Sequence, residues 1–242
     1  MAFETFAFIY DEVSDHSLYE RWLDFSLRHL EGRKNLLELA CGTGELAIRF
    51  AQKGLQVTAL DLSEEMLMIA SQNALNEQAE IQFVEADMLD LADIGSYQAV
   101  TCYSDSLCYL EDEKAVQMTF DQVYQVLDDD GLFLFDVHSL YQIDEVFPGF
   151  NYHYQTDEFA FLWESYAGKQ PHSIEHFLTF FIENEQENFI RKDELHLERT
   201  YPLATYQLLL ENAGFSEVQI YADFVDNPPN EKSRRWFFVC HK

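Results

Sequence analysis

Residues 36–44 read LLELACGTG, a short apolar run that ends in a loop of small residues. The residues that follow, 45–53, place apolar side chains at helical spacing, and Gly54 ends that pattern. Small residues between a strand and a helix let the backbone turn sharply and come close to a ligand. The stretch therefore predicts the first strand, loop and helix of a nucleotide-binding α/β domain.

Short apolar runs continue downstream and alternate with helical patterns. The runs lie at residues 57–60, 81–84, 99–103 and 132–135, and the helical patterns lie at residues 64–76, capped by Ser63, and 111–127. Most runs are too uniformly apolar for a sheet with one face in water, so we expect burial on both faces. Repeated strand-helix-strand units with short links predict an α/β fold with a Rossmann-like, doubly wound, mostly parallel sheet.

The pattern changes near Pro148, after which the chain reads mainly as alternating strands as far as residue 199. We therefore assign residues 1–140 and 200–242 to one domain. Residues 141–199 are expected to form an antiparallel β insertion that covers the active site.

Two further helices flank this domain. Apolar residues repeat at helical spacing over residues 18–29, which predicts a leading helix that packs over one edge of the sheet. Pro202 suits the first turn of a later helix, and Gly214 suits its C-terminal cap. Two strands, at residues 218–221 and 236–239, then complete the sheet.

The composition restricts the partners and the compartment. The chain has 15 Lys and Arg against 44 Asp and Glu, a formal net charge of -29, which repels nucleic acids and anionic membrane surfaces. The four cysteines form no Cys-x-x-Cys pair, so we expect reduced thiols. The N-terminal residues lack the basic region of a secretory signal, and no apolar run reaches membrane-spanning length. These features predict a cytoplasmic protein, and the oligomeric state stays open.

The residues around the glycine loop indicate the kind of ligand. Residues 42–47, GTGELA, satisfy a dinucleotide pattern, and the next strand ends in Asp61, whose carboxylate can accept hydrogen bonds from both ribose hydroxyls. Glu38 precedes the loop, and no Lys or Arg lies between residues 34 and 49, which favours a cationic cofactor over a pyrophosphate. The spacing alone leaves open an NAD-dependent oxidoreductase, or a module that binds its ligand without catalysis.

Three motifs in order resemble those of the class I S-adenosylmethionine-dependent methyltransferases. They are ELACGTG at residues 38–44, LDLSEEML at residues 60–67 and VEADMLDL at residues 84–91, and the resemblance covers residues 35–138. It implies S-adenosyl-L-methionine as the cofactor and an antiparallel final pair of strands. Ala40 departs from the family, in which glycine is frequent at this position. The acidic charge favours a small-molecule methyl acceptor, and a protein acceptor stays open.

The resemblance also implies which residues contact the cofactor. Asp87 is expected to accept from the adenine amine, and Tyr10 belongs to an N-terminal arm that closes over the cofactor. The full set is Tyr10, Glu38, Ala40, Cys41, Gly42, Gly44, Asp61, Leu62, Met66, Ala86, Asp87, Met88 and Tyr103.

Methyl transfer from a sulfonium is an in-line displacement, so positioning and exclusion of water can supply much of the rate. Where the acceptor must lose a proton, the candidate groups follow the fourth and fifth strands. His138 ranks first because of its intrinsic pKa, followed by Asp105 and Tyr109. The alternative for each is an ordinary hydrogen bond within a loop.

The insertion and the last strand supply candidates for binding the acceptor. Tyr152 and Trp163 can form an aromatic pocket for a small or cationic group, or can pack as the core of the insertion. Arg199 and Arg235 can hold a carboxylate, or lie on the surface. Residues 172–176, HSIEH, match a zinc-protease pattern that requires a helix, but their surroundings alternate like a strand, so we expect no metal site.

Overall fold

The computed structural model describes residues 15–184, 186 and 188–242. Eleven strands form in those residues: β1 (Asn35–Leu39), β2 (Gln56–Asp61), β3 (Ile81–Glu85), β4 (Tyr97–Cys102), β5 (Leu127–His138), β6 (Asn151–Gln155), β7 (Phe159–Ala167), β8 (Ser173–Glu183), β9 (Phe189–Arg199), β10 (Glu217–Ala222) and β11 (Arg235–His241). The α-helices of the same residues are α1 (His16–His29), α2 (Glu45–Gln52), α3 (Glu64–Asn76), α4 (Glu113–Val126) and α5 (Leu203–Ala213). A 3-10 turn (Ser106–Tyr109) and a π-helical turn (Gln142–Val146) complete the elements.

Seven strands form one sheet in the spatial order β10-β11-β5-β4-β1-β2-β3. Every neighbouring pair is parallel except the two that involve β11, which runs antiparallel to β5 and to β10. The predicted Rossmann-like, doubly wound, mostly parallel sheet is confirmed, as is the antiparallel final pair. The strand order reverses between β1 and β4, and in such sheets ligands bind at the carboxyl ends of the strands beside the reversal.

The register of the central strands brings three segments to one edge of the sheet. Leu39 of β1 pairs with Leu60 of β2 and with Cys102 of β4. The residues that follow these three positions therefore leave the sheet side by side. This places the glycine loop, Asp61 and Tyr103 along one crevice.

Apolar side chains cover the sheet on both faces, as the uniform apolar runs predict. On one face, Phe120 of α4 and Tyr206 of α5 are fully buried. On the other face, Phe25 of α1 and Phe50 of α2 are fully buried. Burial of one such side chain contributes on the order of 1.5–3 kcal/mol. Packing on both faces thus holds the carboxyl edge of the sheet in place.

Side-chain caps set where two of the helices begin. The Ser63 hydroxyl accepts a hydrogen bond from the Met66 amide, and α3 spans the residues predicted for it. The next helix, α4, begins at Glu113 rather than at residue 111, because the Asp112 carboxylate caps it by accepting two backbone hydrogen bonds. Strand β5 extends beyond its predicted apolar run at both ends.

The four remaining strands form a separate antiparallel sheet in the order β6-β7-β8-β9. This sheet lies within the residues predicted to form the insertion, and the π-helical turn leads into it. One of its faces carries a small apolar cluster that includes Phe161 and Phe180. The HSIEH segment is a strand from Ser173 onward, as predicted, so it lacks the helix that the zinc-protease pattern needs.

The four cysteines are buried free thiols, as expected from their spacing. Cys41 lies just before α2, and the start of a helix by itself lowers the pKa of a thiol. Burial outweighs that effect, and together with the charges of Glu38 and Asp61 it raises the pKa of Cys41 well above its ordinary value. Cys41 is therefore a packed thiol and not a nucleophile.

Candidate active site

The loop after β1 has a left-handed backbone at three positions. The φ angles of Ala40, Gly42 and Gly44 are 52°, 55° and 80°. A Cβ on Gly44 would lie 3.0 Å from the Cβ of Ala70 on α3, so no side chain fits there, whereas a Cβ on Gly42 would meet nothing within 4 Å. The glycine that is frequent in the family at position 40 thus has a physical reason, because alanine in this conformation costs about 1 kcal/mol.

Asp61 ties this loop to α3. One oxygen of its carboxylate accepts from the Gly42 amide at 2.8 Å, and the other accepts from the Ser63 amide at 2.9 Å. Burial raises the pKa of Asp61 although these amides oppose the shift. A carboxylate has about four acceptor positions, so each oxygen keeps capacity for a ribose hydroxyl.

Glu38 is a buried acid without a full set of partners. Its side chain is only 4% exposed, and its Oε2 atom has no hydrogen bond. Burial, followed by the charge of Asp61, raises the pKa of Glu38 to about 8. An ammonium or sulfonium group beside it would favour the ionised form of the carboxyl and pair with it. The loop therefore fits a cationic nucleoside better than an anionic one.

The ends of β2 and β3 form the next part of the crevice. The Ala86 amide donates to the Asp61 carbonyl at 3.1 Å, which joins the two strand ends. Leu62 is 69% exposed, so an apolar surface faces outward beside Asp61, whereas Met66 is buried. Two more predicted cofactor residues follow β3. Met88 is half-buried, and Asp87 is exposed and accepts a hydrogen bond from the Leu89 amide at 2.9 Å.

Two further residues were predicted to contact the cofactor, Tyr103 and Tyr10. The Tyr103 hydroxyl lies 2.8 Å from the Ser26 hydroxyl of α1, and its ring stacks on Trp22. Tyr103 is buried, and burial raises its pKa, so it anchors the leading helix with its hydroxyl already paired. Tyr10 lies outside the described residues.

A buried ion network lies at the ends of β4 and β5. The Arg235 guanidinium of β11 pairs with Asp105 at 2.7 Å and with Asp136. Asp136 also accepts from the Trp22 indole at 2.7 Å and from the Asp105 amide at 3.2 Å. Both terminal nitrogens of Arg235 thus bind internal carboxylates, and its predicted contact with an acceptor carboxylate stays a prediction.

Two of the predicted acceptor residues, Arg199 and Tyr152, lie away from the ion network. Arg199 donates to the Gln170 side chain at 2.6 Å and to the Pro171 carbonyl at 3.2 Å, and it packs over the Tyr201 ring. Tyr152 is 40% exposed on β6. Neither residue belongs to the ion network, because each lies with the turns and edge strand of the four-stranded sheet.

His138, at the end of β5, lies between two carboxylates. Its Nδ1 is 3.1 Å from Asp105, and its Nε2 is 3.4 Å from Glu198 of the insertion. Burial lowers the pKa of His138 to about 3, against the opposing effect of Glu198, so the imidazole is neutral. Burial also raises the pKa of Asp105 to about 6 although Arg235 opposes it. The imidazole therefore has an unprotonated nitrogen, and the Glu198 carboxylate offsets part of the cost of protonating it.

Glu198 and His176 also belong to this network, but the sequence analysis did not predict them as site residues. His176 Nδ1 accepts from the Trp163 indole at 3.1 Å and lies 2.7 Å from the Ser165 hydroxyl, so its proton is on Nε2, 3.4 Å from Glu198. Burial alone would raise the pKa of Glu198, but hydrogen bonding from His176 lowers it to about 2. The available signal for His176 was a polar residue at an inward position of β8, which is otherwise apolar on that face. Strand β9 is polar on the face that carries Glu198, so it gave no such signal.

A cavity of about 50 Å³ opens beside Glu198, between the insertion and the 3-10 turn. It is lined by Tyr109, Trp163, His176, Leu178, His196 and Glu198. Tyr109 is 37% exposed at its edge. The structure thus places Tyr109 and Trp163 on the cavity wall, and it places His138 and Asp105 in the network that reaches this wall through Glu198.

Known proteins match this chain over its whole length. The model of the methyltransferase domain family matches residues 36–131. A protein of Geobacillus sp. (strain WCH70) that is named a methyltransferase is 41% identical, with 100% of each chain covered. The chain belongs to the class I S-adenosylmethionine-dependent methyltransferases. A second relative, YqeM of Bacillus subtilis (strain 168), is also named a methyltransferase. It is 40% identical, and the match covers 100% of this chain and 98% of YqeM.

A solved structure agrees with the fold of this methyltransferase. An S-adenosylmethionine-dependent methyltransferase from Clostridium acetobutylicum ATCC 824 superposes with a TM-score of 0.85, at 25% identity, with 100% of this chain and 99% of its own covered. S-adenosyl-L-methionine is therefore the cofactor of the methyltransferase, as predicted. The alternative hypothesis, an NAD-dependent oxidoreductase, is therefore wrong.

Cofactor binding by the methyltransferase is expected to release a proton. Glu38 is protonated in the unliganded protein at pH 7, since its pKa is about 8, and a cation placed beside it favours the ionised form. The complex then holds fewer protons than the free protein, so affinity rises with pH by up to about tenfold per unit between pH 6 and 7.5. Calorimetry of adenosylmethionine binding in buffers of different ionisation enthalpy measures the release directly.

The matched variant is Glu38→Gln, which keeps the shape of the side chain but has no proton to lose. Its binding should release no proton and should be flat over the same range of pH. Equal proton release by the parent methyltransferase and Glu38→Gln would show that Glu38 does not face the cofactor.

Proposed function

We propose that this methyltransferase passes the methyl group to a small molecule that enters between the carboxyl edge of the seven-stranded sheet and the four-stranded sheet. The observation that supports it is the network that runs from Asp105 and His138 of the main sheet to Glu198 and His176 of the insertion. The small cavity beside it admits the reacting end of a molecule and no folded chain.

The charge and the surface of the chain support the same choice of acceptor. A net charge of -29 opposes binding to nucleic acid and to anionic lipid. No helix in the described part of the chain is long and apolar enough to span a bilayer. We propose that the reaction takes place in the cytoplasm, because the composition and the four reduced thiols are typical of proteins in that compartment.

The residues at the glycine loop would hold the cofactor, which supplies an electrophilic methyl group. Asp61 would accept hydrogen bonds from the ribose hydroxyls, and Glu38 would lie at the cationic end. Leu62 and Met88 would offer apolar contacts to the adenine, and Asp87 would accept from its amine. Tyr10 of the N-terminal arm stays a prediction for closure over the cofactor.

His138 then acts as the general base when the acceptor carries a proton. Its neutral imidazole can take that proton, and the Glu198 carboxylate offsets part of the cost of the cation that results. Arg235 holds Asp105 in place by an ion pair, so Asp105 keeps its contact with Nδ1 of His138. The buried position of the group excludes water, so the acceptor and not hydroxide meets the methyl group.

We expect His138→Gln to lower the rate of methyl transfer by about 10²–10⁴, the usual contribution of a general base. The assay supplies isotopically labelled adenosylmethionine and an ultrafiltered bacterial extract of small molecules, and it follows the labelled product by mass spectrometry. His153→Gln, at an exposed position on β6, is the control and should leave the rate unchanged. Label that enters only macromolecules when the extract is left unfiltered would contradict a small-molecule acceptor.

A further inference from the structure

Glu198 is a buried carboxylate that faces a cavity. Its side chain is 6% exposed, and its Oε2 atom has no hydrogen bond with good geometry, although His138 lies 3.4 Å away. The same residue lines the cavity of about 50 Å³ that the insertion forms with the 3-10 turn. A buried charged oxygen without a donor costs several kcal/mol unless a ligand completes it.

No arginine or lysine among the described residues forms an ion pair with Glu198, whose charged-group neighbours are the imidazoles of His138 and His176. Arg235 pairs with Asp105 and Asp136 and gives no ion pair to Glu198. His176 cannot become a cation without losing the bond from the Trp163 indole, because an indole N–H only donates and occupies Nδ1. Burial would raise the pKa of Glu198, but hydrogen bonds from His176 and Tyr109 contribute to lowering it to about 2, so the carboxylate is ionised. The cavity therefore presents an ionised carboxylate that has no arginine or lysine partner among the described residues.

The walls of the cavity suit an organic cation. Trp163 and Tyr109 present aromatic rings beside Glu198, and a ring face attracts a cation within about 6 Å of its centre. The volume is close to that of one or two waters, which is enough for an amino group and its first carbon. A carboxylate or phosphate would meet like charge from Glu198.

We infer that the methyl acceptor is an amine, bound as an ammonium against Glu198 with its remaining chain directed out past Tyr109. This inference rests on the proposed function and specifies its substrate class. The ammonium gives one proton to the His138 imidazole, the general base of the proposed function, which passes that proton on to solvent water. The nitrogen lone pair then forms the N–C bond as the C–S bond breaks, the sulfur keeps the electron pair of that bond, and the product leaves as the N-methylammonium.

The binding of a small probe tests this assignment on the full chain. The protein is saturated with adenosylhomocysteine and titrated with n-propylammonium, 1-propanol or propionate, while NMR follows the imidazole signals of His138 and His176. We expect n-propylammonium to shift both signals with saturation, and the other two probes to leave them in place. Shifts of equal size from 1-propanol would overturn the inference.

Two variants keep the test specific. Glu198→Gln should weaken n-propylammonium binding at least tenfold, whereas Glu175→Gln, the same change on the opposite face of the same sheet, should leave it unchanged. Tyr109→Leu, at a half-exposed position, should weaken it about fivefold through the lost ring. If Glu198→Gln lacks the native His176 signal, Tyr109→Leu decides the question. Undiminished binding in that variant overturns the inference.

The two proposals can fail separately. Transfer of label to an alcohol or a carboxylate in the extract, together with no shift by n-propylammonium, would overturn the amine assignment and leave the small-molecule methyltransferase intact. Transfer of label to macromolecules alone would overturn the proposed function, whatever the probe binds.

Discussion

Replacing Arg235 with methionine is expected to lower the free energy of unfolding by about 3–5 kcal/mol, the usual cost of removing one partner from a buried ion pair. The guanidinium is 14% exposed and lies between Asp105 and Asp136, whose side chains are 9% and 0% exposed. Without it, two carboxylates stay buried with no cation. Urea denaturation at pH 7, followed by circular dichroism, measures the loss.

Arg234→Met is the control, because Arg234 is the exposed neighbour and should change the unfolding free energy by at most about 0.5 kcal/mol. The sign of the pH dependence is a second check. Protonation of Asp105, whose pKa burial already raises to about 6, removes one unpaired charge, so the deficit of Arg235→Met should shrink as the pH falls from 7 to 5. Equal stability of the two variants at pH 7 would refute the role of this pair.

The second large effect concerns cofactor affinity. Asp61→Ala should weaken adenosylmethionine binding about 100-fold, because it removes two hydrogen bonds to a charged acceptor, each of about 1.5 kcal/mol. It also frees the Gly42 amide that Asp61 now binds, so the loop loses part of its order. Isothermal calorimetry gives the dissociation constants.

Asp112→Ala separates this effect from general destabilisation. Asp112 likewise accepts two backbone amides, at the start of α4, but it lies away from the glycine loop. Its loss should cost about 1 kcal/mol of stability and leave cofactor affinity unchanged. Affinity in Asp61→Ala that matches the parent, in a folded protein, would show that the ribose binds elsewhere.

The parts of the fold that local sequence dictates were predictable. The glycine loop, the Ser63 cap and the carboxylate at the end of β2 each depend on residues close together in the chain. Their chemistry is also specific, because left-handed backbone favours glycine and a cap needs a short polar side chain. The uniform apolar runs likewise predicted a sheet buried on both faces.

The acceptor end of the site was predictable only in part. His138, Asp105 and Tyr109 follow strand ends and could be named, but their partners come from strands far away in sequence. Glu198 reaches His138 only because β9 folds back over the end of β5. Such pairing has no local signal in one sequence, since it depends on the tertiary position of the four-stranded sheet.

Arg235 shows the same limit in another form. An arginine next to another arginine in the sequence is typically a surface residue. No residue close to Arg235 in the sequence indicates that β11 lies beside β5. The antiparallel register of these strands places Arg235 opposite His138, which carries its guanidinium into the buried network. Side-chain burial here follows from sheet order and not from residue type.

The hydrogen bond from the Trp22 indole to Asp136 has a consequence for access to the interior. Swinging α1 outward would strip a completely enclosed acid of a donor, at a penalty of about 1–3 kcal/mol. That side of the protein therefore opens roughly 5- to 150-fold less often than it would without the contact. The leading helix is thereby fastened over the carboxyl edge of the main sheet by a contact that becomes costly as soon as the helix moves.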